Sequence, residues 1–434
     1  MDTAWIGHTF TSDAGWDHLE RLVDLGDRMA GSDGERRAAE LTRDALADAG
    51  ARDAHLTEFD IQGWTRGTSR IDAAGTTGDC IALPRSPAET ATGPLVDLGD
   101  GLPDDFEAAD IEGAVAMVSD GVPDWFDRSI HRREKYYRAV EGGADAFVFR
   151  SDTDGCLAPT GSVGTDDAPI GAIPSVGVSK EVGHRLGRRF EGDDVTVTVE
   201  AEIGPATSQN VHADLGPDTE EALLLTSHVD AHDIAEGAMD NGAGTAMVVE
   251  VATALARRDL DTRVHVVCFG AEEVGLVGSN HHAARTDRDA IRAVVNNDGV
   301  VRGRTLGVTT HGFDALGDAV RTVADRFDHP VTVDPRMGPH SDHWSYTKRG
   351  VPGAYVHSDS GPGRGWGHTR ADTLDKLDVR DLREQAILVT DLVVELARTD
   401  RSIPHADTDA IAAALERQGE AAAMKLTGDW PFRS

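Results

Sequence analysis

Three short apolar runs stand out in the second half of the chain: Ala222-Leu223-Leu224-Leu225-Thr226-Ser227, Arg263-Val264-His265-Val266-Val267-Cys268-Phe269-Gly270 and Ile291-Arg292-Ala293-Val294-Val295-Asn296-Asn297. Continuous apolar runs of this length predict strands buried on both faces, as in a parallel sheet covered by helices. Residues 13–50 have helical spacing and predict two helices. The second places Ala38, Leu41, Ala45, Leu46 and Ala49 on one face and stops at Gly50. A strand is predicted over 57–61. From about residue 86 the texture changes. Pro, Gly and Asp become frequent, and short strands are predicted over 114–118, 146–149 and 195–203. Val195, Val197 and Val199 alternate as in a half-exposed strand. A helix through 135–140 ends at Gly142-Gly143. The α/β texture resumes at Asn210. A C-terminal helix over 409–424 and a loose tail close the chain.

The predicted fold class is α/β: a mixed, largely parallel sheet flanked by helices, with a small β-rich domain inserted. With 434 residues the chain exceeds one compact core. The expected organisation is an N-terminal part of the main domain over 1–85, the insert over 86–205, the main catalytic domain over 206–400 and a helix and tail over 401–434.

Charge narrows the choice of partners. The chain has 76 Asp plus Glu against 42 Lys plus Arg, a formal net charge of −34. Nucleic acid and anionic membrane surfaces would be repelled and are excluded as default partners. The acids are dispersed, and the only lysines are Lys135, Lys180, Lys348, Lys376 and Lys425. Dispersed acid with scarce lysine points to a protein adapted to a salt-rich cytoplasm, where screening tames self-repulsion. No signal peptide and no membrane-length apolar run is visible, so a cytoplasmic location is expected. Cys80, Cys156 and Cys268 form no CxxC pair and no disulfide framework. Cys268, inside a core strand, reads as a small hydrophobe rather than a nucleophile.

The chemistry gathers at the strand ends. His228, Asp240, Glu273 and Asp298 lie at or just beyond the predicted buried strands, and His368 follows the glycine-rich stretch 361–367. In open α/β sheets ligands bind outside the carboxyl ends of the strands. Nitrogen and oxygen donors gathered there suit zinc, and carboxylates can hold two ions. In so acidic a chain His-x-Asp is a cheap pattern. The buried strand directly before it sets His228–Asp230 apart, with Asp230 placed to orient the imidazole. Glu220-Glu221 precedes a strand and reads as a solvated turn, whereas Glu272-Glu273 follows one. Two adjacent carboxylates there can divide metal binding and proton transfer. Gly-x-Ser-x-Gly after a strand, HExxH and a phosphate-cradle motif are all missing. A metal-dependent hydrolase is the reading these residues support.

The ordered set His228-Val229-Asp230, Asp240-Asn241-Gly242, Glu272-Glu273-Val274-Gly275-Leu276-Val277-Gly278-Ser279, Asp298, Ser341-Asp342-His343 and His368-Thr369-Arg370-Ala371-Asp372 resembles the di-zinc peptidases of metallopeptidase family 28. Arg28-Met29-Ala30-Gly31-Ser32-Asp33-Gly34-Glu35 resembles that family's N-terminal signature. The insert is similar to a protease-associated domain at Ile111–Val118, Ala139–Ala146 and Ile173–Val176. The resemblance implies a di-zinc exopeptidase, in the first place an aminopeptidase acting on peptides. It implies one zinc on His228 and Asp298, the other on Glu273 and His368, and Asp240 between them. Glu272 would be the general base and Asp230 the partner of His228. Co²⁺ or Mn²⁺ can occupy such sites as well. Many such aminopeptidases carry Tyr before the last histidine, where this chain has Gly367 preceded by Trp366. A carboxypeptidase or amidohydrolase on the same site therefore stays open, as does a non-catalytic binding protein. The oligomeric state is open too, a homodimer included.

Overall fold

The computed structural model describes residues 3–359, 361 and 366–432. Met1 and Asp2, Ser360, residues 362–365 of the glycine-rich stretch and the last two tail residues lie outside them. The chain forms two compact units. The first comprises Met1–Asp60, Thr207–Gly367 and Asp372–Ala414; the second comprises Ile61–Ala206, His368–Ala371 and Leu415–Ser434. The chain passes between them within two long strands, Arg52–Ala73 and Asp194–Leu215. The strands predicted over 57–61 and 195–203 are segments of these.

The first unit is built on a mixed, mostly parallel sheet. Its strand order is Val331–Asp334, Thr305–Thr309, Gly353–Asp359, Ile291–Asn297, Ala222–His228, Arg263–Phe269 and the C-terminal part of Asp194–Leu215. The four strands from Gly353–Asp359 to Arg263–Phe269 run parallel. Their outer neighbours are antiparallel to them. Burial on both faces explains the apolar runs. Leu223, Leu225, Val264, Val266 and Val295 share a core with Met247 and Val251 of helix Ala243–Leu255 and Leu388 and Leu392 of helix Val379–Leu396. On the other face Leu224, Val267, Phe269 and Val294 meet Ala283, Tyr346 and Val351. Each such side chain contributes about 1.5–3 kcal/mol by leaving water, so the centre of the sheet is the rigid base for whatever stands at its edge.

The two helices expected over 13–50 form as Ala14–Val23 and Asp33–Asp48, and a third, Ala4–Phe10, precedes them. The extra one is short and anchors Trp5, which packs with Ala254 and Ile387. Helix Asp33–Asp48 starts where Ser32 accepts the Glu35 amide hydrogen. The expected C-terminal helix is broken into Thr408–Arg417 and Glu420–Leu426, because Gly419 takes a φ of +77°.

The second unit carries its own parallel set, Thr90–Asp97, Val115–Ser119, Ala146–Arg150 and Ser175–Val178, with Ile81–Ala82 antiparallel at the edge. Helices Arg132–Glu141 and Lys180–Phe190 belong to it. Its strand and helix positions match the short elements predicted there. Among the described residues no helix is long and apolar enough to cross a membrane. Cys80 and Cys268 are buried and all three cysteines are free. Burial pushes the Cys268 thiol up to about 12, which removes it as a nucleophile.

Candidate functional site

The parallel strands bring the predicted residues of the first unit to one edge of the sheet. His228 is the last residue of Ala222–His228, in register with Phe269 of the adjacent strand. Glu272 and Glu273 follow Phe269 by a few residues. Asp298 directly follows Ile291–Asn297. Asp240 comes from the turn before helix Ala243–Leu255, and its peptide bond to Asn241 is cis.

Hydrogen-bond directions define the chemistry. The Nδ1 of His228 lies 3.1 Å from the Asp230 carbonyl oxygen, which can only accept, so Nδ1 carries the proton. In the neutral ring the remaining nitrogen, Nε2, carries the lone pair. It stands 3.4 Å from Asp240 Oδ1 and 3.7 Å from Asp298 Oδ1, both acceptors as well. One ligand atom from each of His228, Glu272 and Asp298 lies within 4.8 Å of the other two. His228 is 1 % exposed, and Nε2 has no hydrogen-bond donor facing it. A buried imidazole and several carboxylates converging on one another are a suitable setting for a cation. The donor set, one imidazole nitrogen and several carboxylate oxygens, fits zinc and related divalent ions.

The ionisation of the cluster says the same. Burial alone would lower the pKa of His228, but Glu272, Asp230, Asp240 and Asp298 push it well above the usual imidazole value. Burial, with Glu273 and Asp342 as negative neighbours, holds Glu272 well above the usual carboxylate range. Burial likewise raises Asp342 to about 8. With no cation present these raised values keep protons on His228 and on the buried acids, and a bound cation would take the place of those protons.

Several residues hold the ligands in place. Asp230, fully buried, accepts the backbone amides of Glu272 and Glu273 on its two oxygens, each at 3.1 Å. It therefore fixes the Glu-Glu loop in addition to lying beside His228. Asp372 accepts the amides of Met239 and Asp240 at 2.8 and 3.0 Å. The Ser341 hydroxyl donates to Asp298 Oδ2 at 2.6 Å. Asn241 donates to the Asn297 carbonyl and accepts the Gly244 amide. A Cβ on Gly244 would collide with the Asn241 side chain and the Asn297 carbonyl, which explains the glycine in Asp-Asn-Gly-Ala-Gly. Gly278 meets the Gly270 carbonyl just as closely.

Sequence reasoning missed several partners. His232 places Nε2 2.9 Å from Glu273 Oε2; its only sequence signal is its place four residues after His228. Arg28 and Glu35 entered only as parts of a signature. Arg28, buried, donates to the carbonyls of Leu22, Val229, Glu236 and Gly237. Glu35 accepts the Ala271 amide and the Ser208 hydroxyl. Tyr355 has Asp298, Asp240 and Glu272 as charged neighbours, and burial first, then these acids, hold its hydroxyl well above the usual phenol value. His368 belongs to the second unit. There its Nδ1 lies 3.3 Å from the Thr160 carbonyl oxygen, which leaves Nε2 as the nitrogen with a lone pair.

Comparison with known proteins gives this arrangement relatives. Residues 210–393 match the model of peptidase family M28, and residues 91–186 match that of the PA domain. Over residues 210–393 the chain is similar to peptidase family M28. Aminopeptidase YwaD of Bacillus subtilis (strain 168) is 26% identical over 397 residues, covering 87% of this chain and 83% of that protein. Carboxypeptidase Q of Bos taurus is 24% identical over 417 residues, covering 90% and 86%. The solved structure of an aminopeptidase from Aneurinibacillus sp. strain AM-1 is 26% identical and superposes with a TM-score of 0.70, covering 93% of this chain and 98% of that one. The M28 match contains His228, Asp240, Glu272, Glu273, Asp298 and His368, and the PA match falls in the second unit.

Proposed function

We propose that this chain is an aminopeptidase that works with two zinc ions. The observation that supports the reading is the convergence of the buried His228 Nε2 with the carboxylates of Asp240, Asp298 and Glu272. His228 and Asp298 would hold one ion, Glu273 and His368 the other, and Asp240 would lie between them. When bound, such ions lower the pKa of a water and polarise the scissile carbonyl.

The protein's own groups do the rest. Glu272, sheltered from solvent and raised in pKa, takes the proton of the attacking water and returns it to the leaving amine. Asp230 keeps Glu272 and Glu273 in register through their amides. Tyr355 supplies a protonated phenol beside the acids, where Gly367 offers no side chain for the oxyanion. The dispersed acidity suits a salt-rich cytoplasm, in which screening over a few ångströms reduces self-repulsion.

A carboxypeptidase is the second reading, supported by the likeness to carboxypeptidase Q. The test is a panel of free and N-terminally blocked peptides in high KCl, with chelator and with Zn²⁺ restored. Release of N-terminal residues from free peptides alone, lost with chelator and regained with Zn²⁺, is expected. Cleavage of blocked peptides from the C-terminal end would replace aminopeptidase with the second reading.

A further inference from the structure

The first unit contains a second group of metal-type side chains that shares no residue with the acidic cluster. His212 lies on Asp194–Leu215 and His265 on Arg263–Phe269. Their antiparallel register sets His265 opposite Asp214 and Val267 opposite His212. All four side chains therefore stand on one face of the sheet. Helix Val277–Arg285, whose Ala283 packs against Val267 on that face, brings His282 over them. The three rings lie face to face or tilted, with centroids 5.3–5.8 Å apart, and His55 stacks on His212 at 5.0 Å. One ring nitrogen from each of His212, His265 and His282 lies within 4.8 Å of the other two.

The proton positions can be worked out. Asp214 Oδ1 is 2.9 Å from His265 Nδ1, so Nδ1 carries the hydrogen and Nε2 is bare. That Nε2 is 3.3 Å from His212 Nδ1. With Zn–N bonds of about 2.0–2.1 Å and tetrahedral angles, two ligand nitrogens stand about 3.3 Å apart. His282 Nδ1 is 2.6 Å from the Tyr346 hydroxyl, which leaves its Nε2. A simple hydrogen-bonded chain from His212 through His265 to Asp214 accounts for one pair but gives His282 no part in it. Burial first, then the neighbouring histidines, lowers His212 to about 2 and His282 to about 3. These rings are therefore neutral at physiological pH, the state that binds metal. The carboxylate behind His265 is the usual device for orienting an imidazole ligand.

We propose that His212, His265 and His282 form an additional transition-metal site that takes a zinc-type divalent ion through three imidazole nitrogens, with Asp214 orienting His265. His212 and His282 keep their second N–H, so binding to them releases no proton. Three imidazoles favour Zn²⁺, Ni²⁺ or Cu²⁺ over the hard oxygen-seeking ions. The site does not depend on the peptidase reading.

The experiment uses full-length protein, stripped with chelator and dialysed against Zn²⁺, with bound zinc counted by elemental mass spectrometry. His265→Gln and His282→Gln are measured beside the wild type, together with hydrolysis and circular dichroism melts. Each variant should bind one equivalent of zinc fewer than the wild type while hydrolysis is unchanged. Equal zinc equivalents in the wild type and in a folded variant overturn the proposal. If His265→Gln does not fold, His282→Gln decides it. Co²⁺ gives a second readout: visible absorption of a tetrahedral ion in the wild type should weaken in His282→Gln, and an identical spectrum counts against the site.

Discussion

Both units contain parallel strands, yet the carboxyl ends of those strands are finished in opposite ways. In the first unit, His228, Asp240, Glu272 and Asp298 bring one imidazole and three carboxylates together. In the second, Val115–Ser119 ends under Lys135, whose ammonium donates to the carbonyls of Asp100, Ser119 and Gly121 at 2.7–2.8 Å. The Asp120 amide bonds the Arg150 carbonyl, and the Ser151 amide bonds the Val178 carbonyl. One edge is closed by the protein's own donors and the other gathers groups suited to a cation. Strand topology offers the crevice, but the balance of donors and acceptors decides whether it becomes a site.

The largest expected effect breaks the open edge. Glu272→Gln keeps the shape and removes the base; hydrolysis should fall roughly 10³-fold while zinc content stays at the wild-type value. Activity within a factor of ten of wild type would remove Glu272 from the mechanism.

The next breaks the closed edge. Lys135→Met leaves three carbonyls without their charged donor and should cost about 2–4 kcal/mol of stability, with kcat on a peptide unchanged. Burial moves Lys135 from 10.5 down to about 8. Between those values the unfolded chain binds more protons than the folded one, so this group adds stability as pH rises through the window. The gain is complete above the unfolded value and lost as pH falls through about 8. Urea midpoints between pH 7 and 10.5 should show the rise in the wild type and not in the variant. Parallel pH curves would mean that Lys135 does not hold the edge as described.

A smaller effect sharpens the comparison. Asp230→Asn keeps size but replaces one accepting oxygen with a donor that faces an amide hydrogen. Metal affinity or activity should fall about 10–100-fold, read from zinc titration and kcat/KM. If both stay at wild-type values, the Glu272–Glu273 loop is held by Glu35 and the Ala271 amide alone.

What could be read from the chain follows from the range of each interaction. The apolar runs over 222–227, 263–270 and 291–297 are local signals, and the strands formed there match them nearly residue for residue. The candidate residues of the first unit were readable because they follow those strands in order. His232, Asp372, Arg28 and Glu35 act over long separations: Glu35 meets Ala271 across 236 positions and Asp372 meets Met239 across 133. No periodicity encodes such a pairing. The short opening helix was missed because Trp5 is stabilised by residues beyond position 250, not by its own neighbours. The break at Gly419 was visible as a glycine, but apolar spacing on both sides outweighed it.

Arg28 sits 201 positions from Val229, and Asp372 reaches back to Met239 and Asp240. Synthesis runs from the N-terminus at about 5–20 residues per second. Arg28 therefore waits for its partners Val229, Glu236 and Gly237 until more than half the chain has emerged, and the Asp240 turn waits longer still for Asp372. The acidic cluster at the strand ends is thus among the last features a nascent chain can complete, so a truncated product carries the strands without the contacts that hold the cluster in place.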